Sequence, residues 1–173
     1  MILEVLAQHG MLATFFLVGE QVRKRPELAQ RIVTCGHTLG LHGFRHRAHP
    51  LLSEAALRED FTRGLAAISD ATGIAPALHR PPYGVYSPAS LALTREHGLT
   101  PLLWSRWGKD WRKFTTPQRI TRRVISKLSY GDVILLHDAD FYSSKRSHQR
   151  TAEALRAILT TLERREPCIL MET

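Results

Sequence analysis

Short apolar runs alternate along this chain with longer amphipathic segments, and glycine or proline stands at most of the boundaries. The runs 13–18, 38–41, 75–79, 100–104, 132–136 and 168–171 have strand length, and most are apolar at successive positions rather than at every second one. Strands of that kind are covered on both faces, as in a parallel sheet. The segments 2–9, 20–35, 53–72, 88–97, 117–128 and 148–166 carry apolar residues at three- and four-residue spacing, the period of a helix with one buried face. Ser53 before Glu54, Ser87 before Pro88 and Thr116 before Pro117 are helix-start signals, while Gly10, Gly36, Gly73 and Gly98 stand at helix stops. The alternation predicts an α/β fold on parallel strands, closed as a barrel or left as an open sheet. No repeat, linker or composition shift divides residues 1–173, so one domain is expected.

The formal net charge is +8, an excess that favours anionic partners such as nucleic acid, anionic lipid or an acidic cell-wall polymer. The basic residues are nevertheless spread out. Arg23-Lys24-Arg25, Arg122-Arg123 and Arg164-Arg165 each fall inside an expected helix and read as solvated faces. No helix-turn-helix, zinc-finger or RNA-binding aromatic motif accompanies them, so no nucleic-acid partner is expected. No apolar run approaches the roughly 20 residues of a membrane helix, and Met1 leads into an amphipathic segment without the basic start of a secretory signal. Cys35 and Cys168 lack C-x-x-C spacing and read as buried free thiols.

In parallel α/β folds the functional residues gather where strands end. The run 38–41 ends in His42-Gly43-Phe44-Arg45-His46. On one helical turn, imidazoles four residues apart share a face and can grip a divalent ion, with His37 and His49 as alternative ligands. The run 75–79 ends in Arg80-Pro81-Pro82-Tyr83-Gly84, where the prolines would hold the Arg80 fork rigidly, ready for a carboxylate. Beyond 100–104 lies Trp104-Ser105-Arg106-Trp107-Gly108-Lys109-Asp110-Trp111, three indoles that suit either core packing or stacking on a sugar. Asp110 there can orient a histidine or bind a ligand. The run 132–136 ends in His137-Asp138, and His137 is a candidate general acid or base.

Taken in order, H-x-x-x-H, R-P-P-Y-G, D-W and L-L-H-D resemble the polysaccharide deacetylase family, the NodB-homology domain of carbohydrate esterase family 4. Residues 13–19 (A-T-F-F-L-V-G) resemble that family's second strand, and residues 36–42 (G-H-T-L-G-L-H) its approach to the metal site. The resemblance covers nearly the whole chain. It implies a distorted (β/α) barrel and metal-assisted hydrolysis of the carbon–nitrogen bond of an N-acetyl amino sugar. By motif, His42 and His46 would hold a divalent ion, zinc first, with cobalt, nickel or manganese as alternatives. Arg80 would hold the catalytic carboxylate, and the backbone near Tyr83 would face the developing oxyanion. His137 would protonate the leaving amine, with Asp110 setting its tautomer. Trp111 and Leu136 would line the acetyl pocket. The implied partner is an N-acetylated glycan, of the peptidoglycan or chitin type, and family members usually act outside the cytoplasmic membrane.

Three positions depart from the pattern. The T-F-D-D-G motif, which carries the family's base and third metal ligand, lies upstream of the segment matching residues 2–6, and these 173 residues hold no Asp-Asp pair. The expectation is therefore an N-terminally incomplete NodB-type domain with its barrel truncated at the first strand. Either the cellular protein carries the motif ahead of Met1, or the chain is an inactive homologue that binds sugar without hydrolysis. Gly43 stands where the family has Ser or Thr, and Trp107 replaces the first Asp of D-x-x-D-W.

Overall fold

A computed structural model of the chain describes residues 1–164. Its elements run α1 (Ile2–Gln8), β1 (Thr14–Leu17), α2 (Gly19–Lys24), α3 (Pro26–Thr34), β2 (Thr38–Leu41), α4 (Glu54–Thr72), β3 (Leu78–His79), α5 (Pro88–Glu96), β4 (Thr100–Pro101), β5 (Arg106–Trp107), α6 (Pro117–Ile125), β6 (Ile134–Leu135) and α7 (Ser147–Glu163). They form two compact units, Leu12–Leu103 and Met1–Met11 together with the chain from Trp104 onward.

In the Leu12–Leu103 unit the strands pair in parallel in the order β1-β2-β3-β4. Leu17, Leu41, His79 and Pro101 stand in one row. The ladder runs one residue further, because His42 N–H bonds to Leu17 O, Arg80 N–H to Leu41 O and Leu102 N–H to His79 O. His42, Arg80 and Leu102 thus share the carboxyl edge of the sheet. The core beneath is apolar: Leu39, Leu41, Leu57, Phe61, Ile68 and Leu93 are buried. Phe61 is wholly enclosed, and its truncation to Ala would cost about 3–5 kcal/mol. Ser53 caps α4 by accepting the Ala56 N–H, and Ser87 with Ser90 forms a reciprocal capping box on α5, with Pro88 at its first turn.

In the other unit β5 pairs in parallel with β6, and α7 packs on α1 and α6. Val5, Leu6, Ile120, Val124, Ala154 and Ile158 are its buried apolar residues. Thr116 caps α6 by accepting the Arg119 N–H.

Several sequence expectations need correction. The segment 20–35 is two helices, because Arg25 precedes Pro26 and adopts φ −144°, ψ 64°, away from the helical region that a following proline disfavours. Only Leu78–His79 of the run 75–79 joins the sheet; Pro76 has no N–H to give a ladder. The runs 100–104 and 132–136 shrink to two paired residues each. Strand β5 was not expected, since Arg106 and Trp107 show no apolar alternation. Residues 42–46 are an irregular strap rather than a helical turn. Cys35 is exposed, since it caps α3 at a solvent-facing end. The expected strand 168–171, Cys168 and the end of the segment 148–166 lie outside the described residues.

Candidate active site

His42 follows β2 directly, and Arg80 follows β3. The His42 Nδ1–H donates to the Arg80 carbonyl across 2.6 Å. A carbonyl can only accept, so the proton sits on Nδ1 and Nε2 keeps its lone pair. A backbone carbonyl behind an imidazole in this way fixes the tautomer a metal-binding histidine needs. The His46 ring stands edge-on to that of His42, with centroids 5.2 Å apart, and to that of Tyr83, 4.7 Å away. Both histidines are half-buried. The strap bends at Gly43, whose φ of +78° lies in the left-handed region that glycine enters without steric cost.

Arg80 is buried. It donates from Nε to Leu102 O at 2.8 Å and from Nη2 to Leu103 O at 2.9 Å, and its guanidinium lies 4.0 Å over the Phe16 ring. Burial pushes its pKa down to about 10, partly offset by Tyr86, so it remains cationic at neutral pH. Tyr83, in the R-P-P-Y-G loop, is an exposed side chain on a left-handed backbone, φ 62°. A non-glycine residue pays roughly 1–2 kcal/mol for that conformation, which Pro81, Pro82 and the Gly84 N–H bond to Pro81 O help impose.

In the second unit Asp110 is wholly buried. Its Oδ1 accepts the His137 Nδ1–H at 2.8 Å, and its Oδ2 accepts the His137 backbone N–H at 2.7 Å and the Thr151 hydroxyl at 2.8 Å. Burial raises the Asp110 carboxyl, but the His137 and Thr151 hydrogen bonds outweigh it and hold the group below the usual carboxylate range. His137 is thereby held with Nδ1–H toward the carboxylate and Nε2 as its other nitrogen. Its side chain is 40% exposed. Trp111 stands edge-on to His137, with centroids 5.5 Å apart, and continues into Trp107 at 5.3 Å and Trp104 at 5.8 Å. Leu136 packs so closely on Gly108 that a Cβ there would meet Leu136 Cδ2 at 2.8 Å.

The structure thus gathers His42, His46, Arg80 and Tyr83 in one unit and Asp110, Trp111, Leu136 and His137 in the other. The alternative ligands stand apart from this arrangement. His37 is buried with Nδ1 accepting the Ala13 N–H, and His49 is enclosed against Phe61 and His79. Sequence reading missed Thr151, 41 residues from Asp110 and on a helix face with no motif, and Asp60, described below. Two imidazoles, one already fixed in the ligating tautomer, are a donor set that suits a borderline divalent ion. Among the described residues no group of three or more His, Cys, Asp or Glu is gathered to hold a metal, so these two rings are the fit the structure offers.

Comparisons with known proteins identify the family. A family model for polysaccharide deacetylases matches residues 1–102. The chain is 32% identical over 165 residues to the peptidoglycan-N-acetylglucosamine deacetylase PgdA of Listeria monocytogenes, covering 94% of this chain and 32% of that one. It is 32% identical over 171 residues to a chitooligosaccharide deacetylase of Bradyrhizobium, covering 95% and 78%. An acetyl xylan esterase of Clostridium thermocellum, solved in complex with a cobalt ion, aligns with TM-score 0.81, 28% identity and 95% and 76% coverage. A family 4 carbohydrate esterase pseudoenzyme from Bacillus anthracis aligns with TM-score 0.85, 27% identity and 95% and 55% coverage. The chain belongs to the polysaccharide deacetylase family, and its fold class is the distorted (β/α) barrel of the NodB-homology type. It spans 47% and 32% of the length of the first curated relatives it matches. No helix among the described residues is long and apolar enough to cross a membrane.

Proposed function

We propose that this chain carries the metal-holding histidines and the general acid of a metal-assisted deacetylase that removes N-acetyl groups from an amino-sugar glycan. The observation that carries the reading is the Asp110–His137 pair, a buried carboxylate holding an imidazole in one tautomer at a strand end. In this reading His42 and His46 hold a divalent ion, zinc before cobalt, nickel or manganese, which when bound polarises the acetyl carbonyl and the attacking water. Arg80 would orient the carboxylate of the family's T-F-D-D-G motif, the base that takes the proton of the attacking water, and the left-handed turn at Tyr83 presents backbone to the developing oxyanion. The carbon–nitrogen bond breaks as His137 gives its proton to the leaving amine, while Asp110 stabilises the charged imidazole that precedes this. Trp111 and Leu136 line the pocket for the acetyl methyl. The relatives named for peptidoglycan and for chitooligosaccharide support a glycan substrate of one of these types.

The similarity to a pseudoenzyme, together with the lack of an Asp-Asp pair in the 173 residues, supports a second reading in which the chain binds glycan without hydrolysing it. Acetate release from N-acetylated chito-oligosaccharide and from peptidoglycan fragments, with and without added divalent metal, separates the two. Metal-dependent release that disappears in His137→Ala, with metal binding retained, is the expected result. Absence of release at full metal loading, with glycan binding measured by calorimetry, would replace the first reading by the second.

A further inference from the structure

We propose that Asp60 is a positioning residue for the His42–His46 pair, its buried α4 carboxylate setting the bend of the strap from which both rings project. The proposal rests on reading those imidazoles as a metal centre. Asp60 is 2% exposed. Its Oδ2 accepts the Phe44 N–H at 2.7 Å, and its Oδ1 accepts the Arg45 N–H at 3.2 Å and an Arg47 Nη2 hydrogen at 3.2 Å. Two successive amides therefore converge on one carboxylate, among the three residues that separate the two rings. The other side of the strap is tied as well, because the Gly19 and Glu20 N–H groups donate to Gly43 O and Phe44 O at 3.0 and 2.9 Å.

The approach of α4 is built for this contact. Gly64 lies one helical turn beyond Asp60, and a Cβ there would meet Phe44 N at 3.1 Å and Gly43 carbonyl carbon at 3.2 Å. A Cβ on Gly43 would lie 2.7 Å from Asp60 Oδ2. The carboxylate thus occupies the space next to position 43, where the family pattern has a hydroxyl-bearing residue, and takes over the bracing of the strap. An amide cannot substitute, since its NH2 would face an N–H donor while only its single oxygen accepts.

The test uses the full chain and cobalt(II) as the probe, followed by visible absorption, with thermal melting as the fold control. Asp60→Asn should weaken cobalt binding by about tenfold or more, the usual cost of losing a group that orients a ligand, while the chain still melts cooperatively. Gly43→Ala, which pushes the carboxylate off its seat, should do the same. Cobalt affinity in Asp60→Asn equal to that of the unmodified chain overturns the proposal. If the unmodified chain binds no cobalt, the metal reading fails by itself, and the proposal is decided by imidazole NMR. One set of His42 and His46 ring signals in the unmodified chain, broadened in Asp60→Asn, supports it; identical ring signals in both overturn it. Hydrogen exchange on the unmodified chain needs no variant: slow exchange at Phe44 and Arg45 is expected, and fast exchange at both overturns the proposal.

Discussion

His137 meets Asp110 twice, through its ring Nδ1–H on Oδ1 and through its own backbone N–H on Oδ2. Ring and main chain of one residue are held by the same carboxylate, so the imidazole cannot rotate without losing its bond to Oδ1, while the backbone bond to Oδ2 fixes where the ring starts from. Thr151 adds a third donor from α7. The carboxylate thereby fixes the tautomer, the ring orientation and the entry of the chain into the loop after Leu136.

Asp110→Asn offers one oxygen where three donors converge. Acetate release should fall by about 10²–10⁴-fold, the span associated with a positioned general acid, and stability by about 1–3 kcal/mol for the donors left unpaired. Cobalt affinity should stay at the unmodified value, since the Asp110 oxygens are engaged by His137 and Thr151. Turnover within threefold of the unmodified chain would remove Asp110 from the acid machinery.

Acid stability should be governed by two other histidines. His49 and His79 are wholly buried and stack with ring centroids 5.6 Å apart. Burial lowers His49 to about 4, with Asp60 raising it and Arg47 lowering it, and burial with the charges of His49 and His42 lowers His79 to about 3. Both are neutral in the folded chain and take up protons on unfolding below about pH 6.5. Stability is therefore full above that pH and falls as pH drops toward 4, by up to about 1.4 kcal/mol per pH unit for each histidine. Asp110 acts in the opposite sense and lower down: its folded pKa is depressed, so its contribution holds above the ordinary carboxylate value and fades only beneath it. Neither His49 ring nitrogen has a hydrogen-bond partner in the structure. His49→Leu should raise the melting temperature at neutral pH and flatten the slope between pH 6 and 4. Chemical denaturation across that range measures both, and an unchanged slope would sink the assignment.

Much of this was legible in the sequence, because strand ends are punctuated. Thr38–Leu41 followed by His42, and the Pro81-Pro82 pair after Arg80, mark their positions by residue type alone. The helix starts at Ser53, Ser87 and Thr116 were readable for the same reason: a capping side chain acts on its own next turn. What was illegible acts at long range or against local pattern. Asp60 and Thr151 reach the loops from helices 15 and 41 residues away from their partners Arg45 and Asp110, and nothing near them in sequence marks the contact. Strand β5 exists because Val133, Ile134 and Leu135 offer a ladder to Arg106 and Trp107, not because those two residues prefer a strand. The shape of the His42–His46 strap is hidden in the sequence, because four-residue spacing suggests a helix, whereas Gly43 and the Asp60 carboxylate impose a bend.

Trp107 should decide how strongly a glycan is held rather than how fast it reacts. Its indole is 39% exposed, it carries the Lys109 ammonium 4.8 Å from the ring centroid, and it links Trp104 to Trp111. Trp111 in turn touches His137, so the row ends at the residue proposed as the acid. An aromatic face of this kind gives contact area to a pyranose ring with little entropy to lose. Because that contact is the same in ground state and transition state, its loss should appear in KM alone. Trp107→Ala is expected to raise KM for chito-oligosaccharides by about fivefold, equivalent to roughly 1 kcal/mol of uniform binding, with kcat unchanged. Trp111→Ala, next to the acid, should lower kcat as well. Steady-state kinetics on oligomers of increasing length separates the two residues, and an equal fall in kcat for both variants would show that the row acts on the chemistry as one unit.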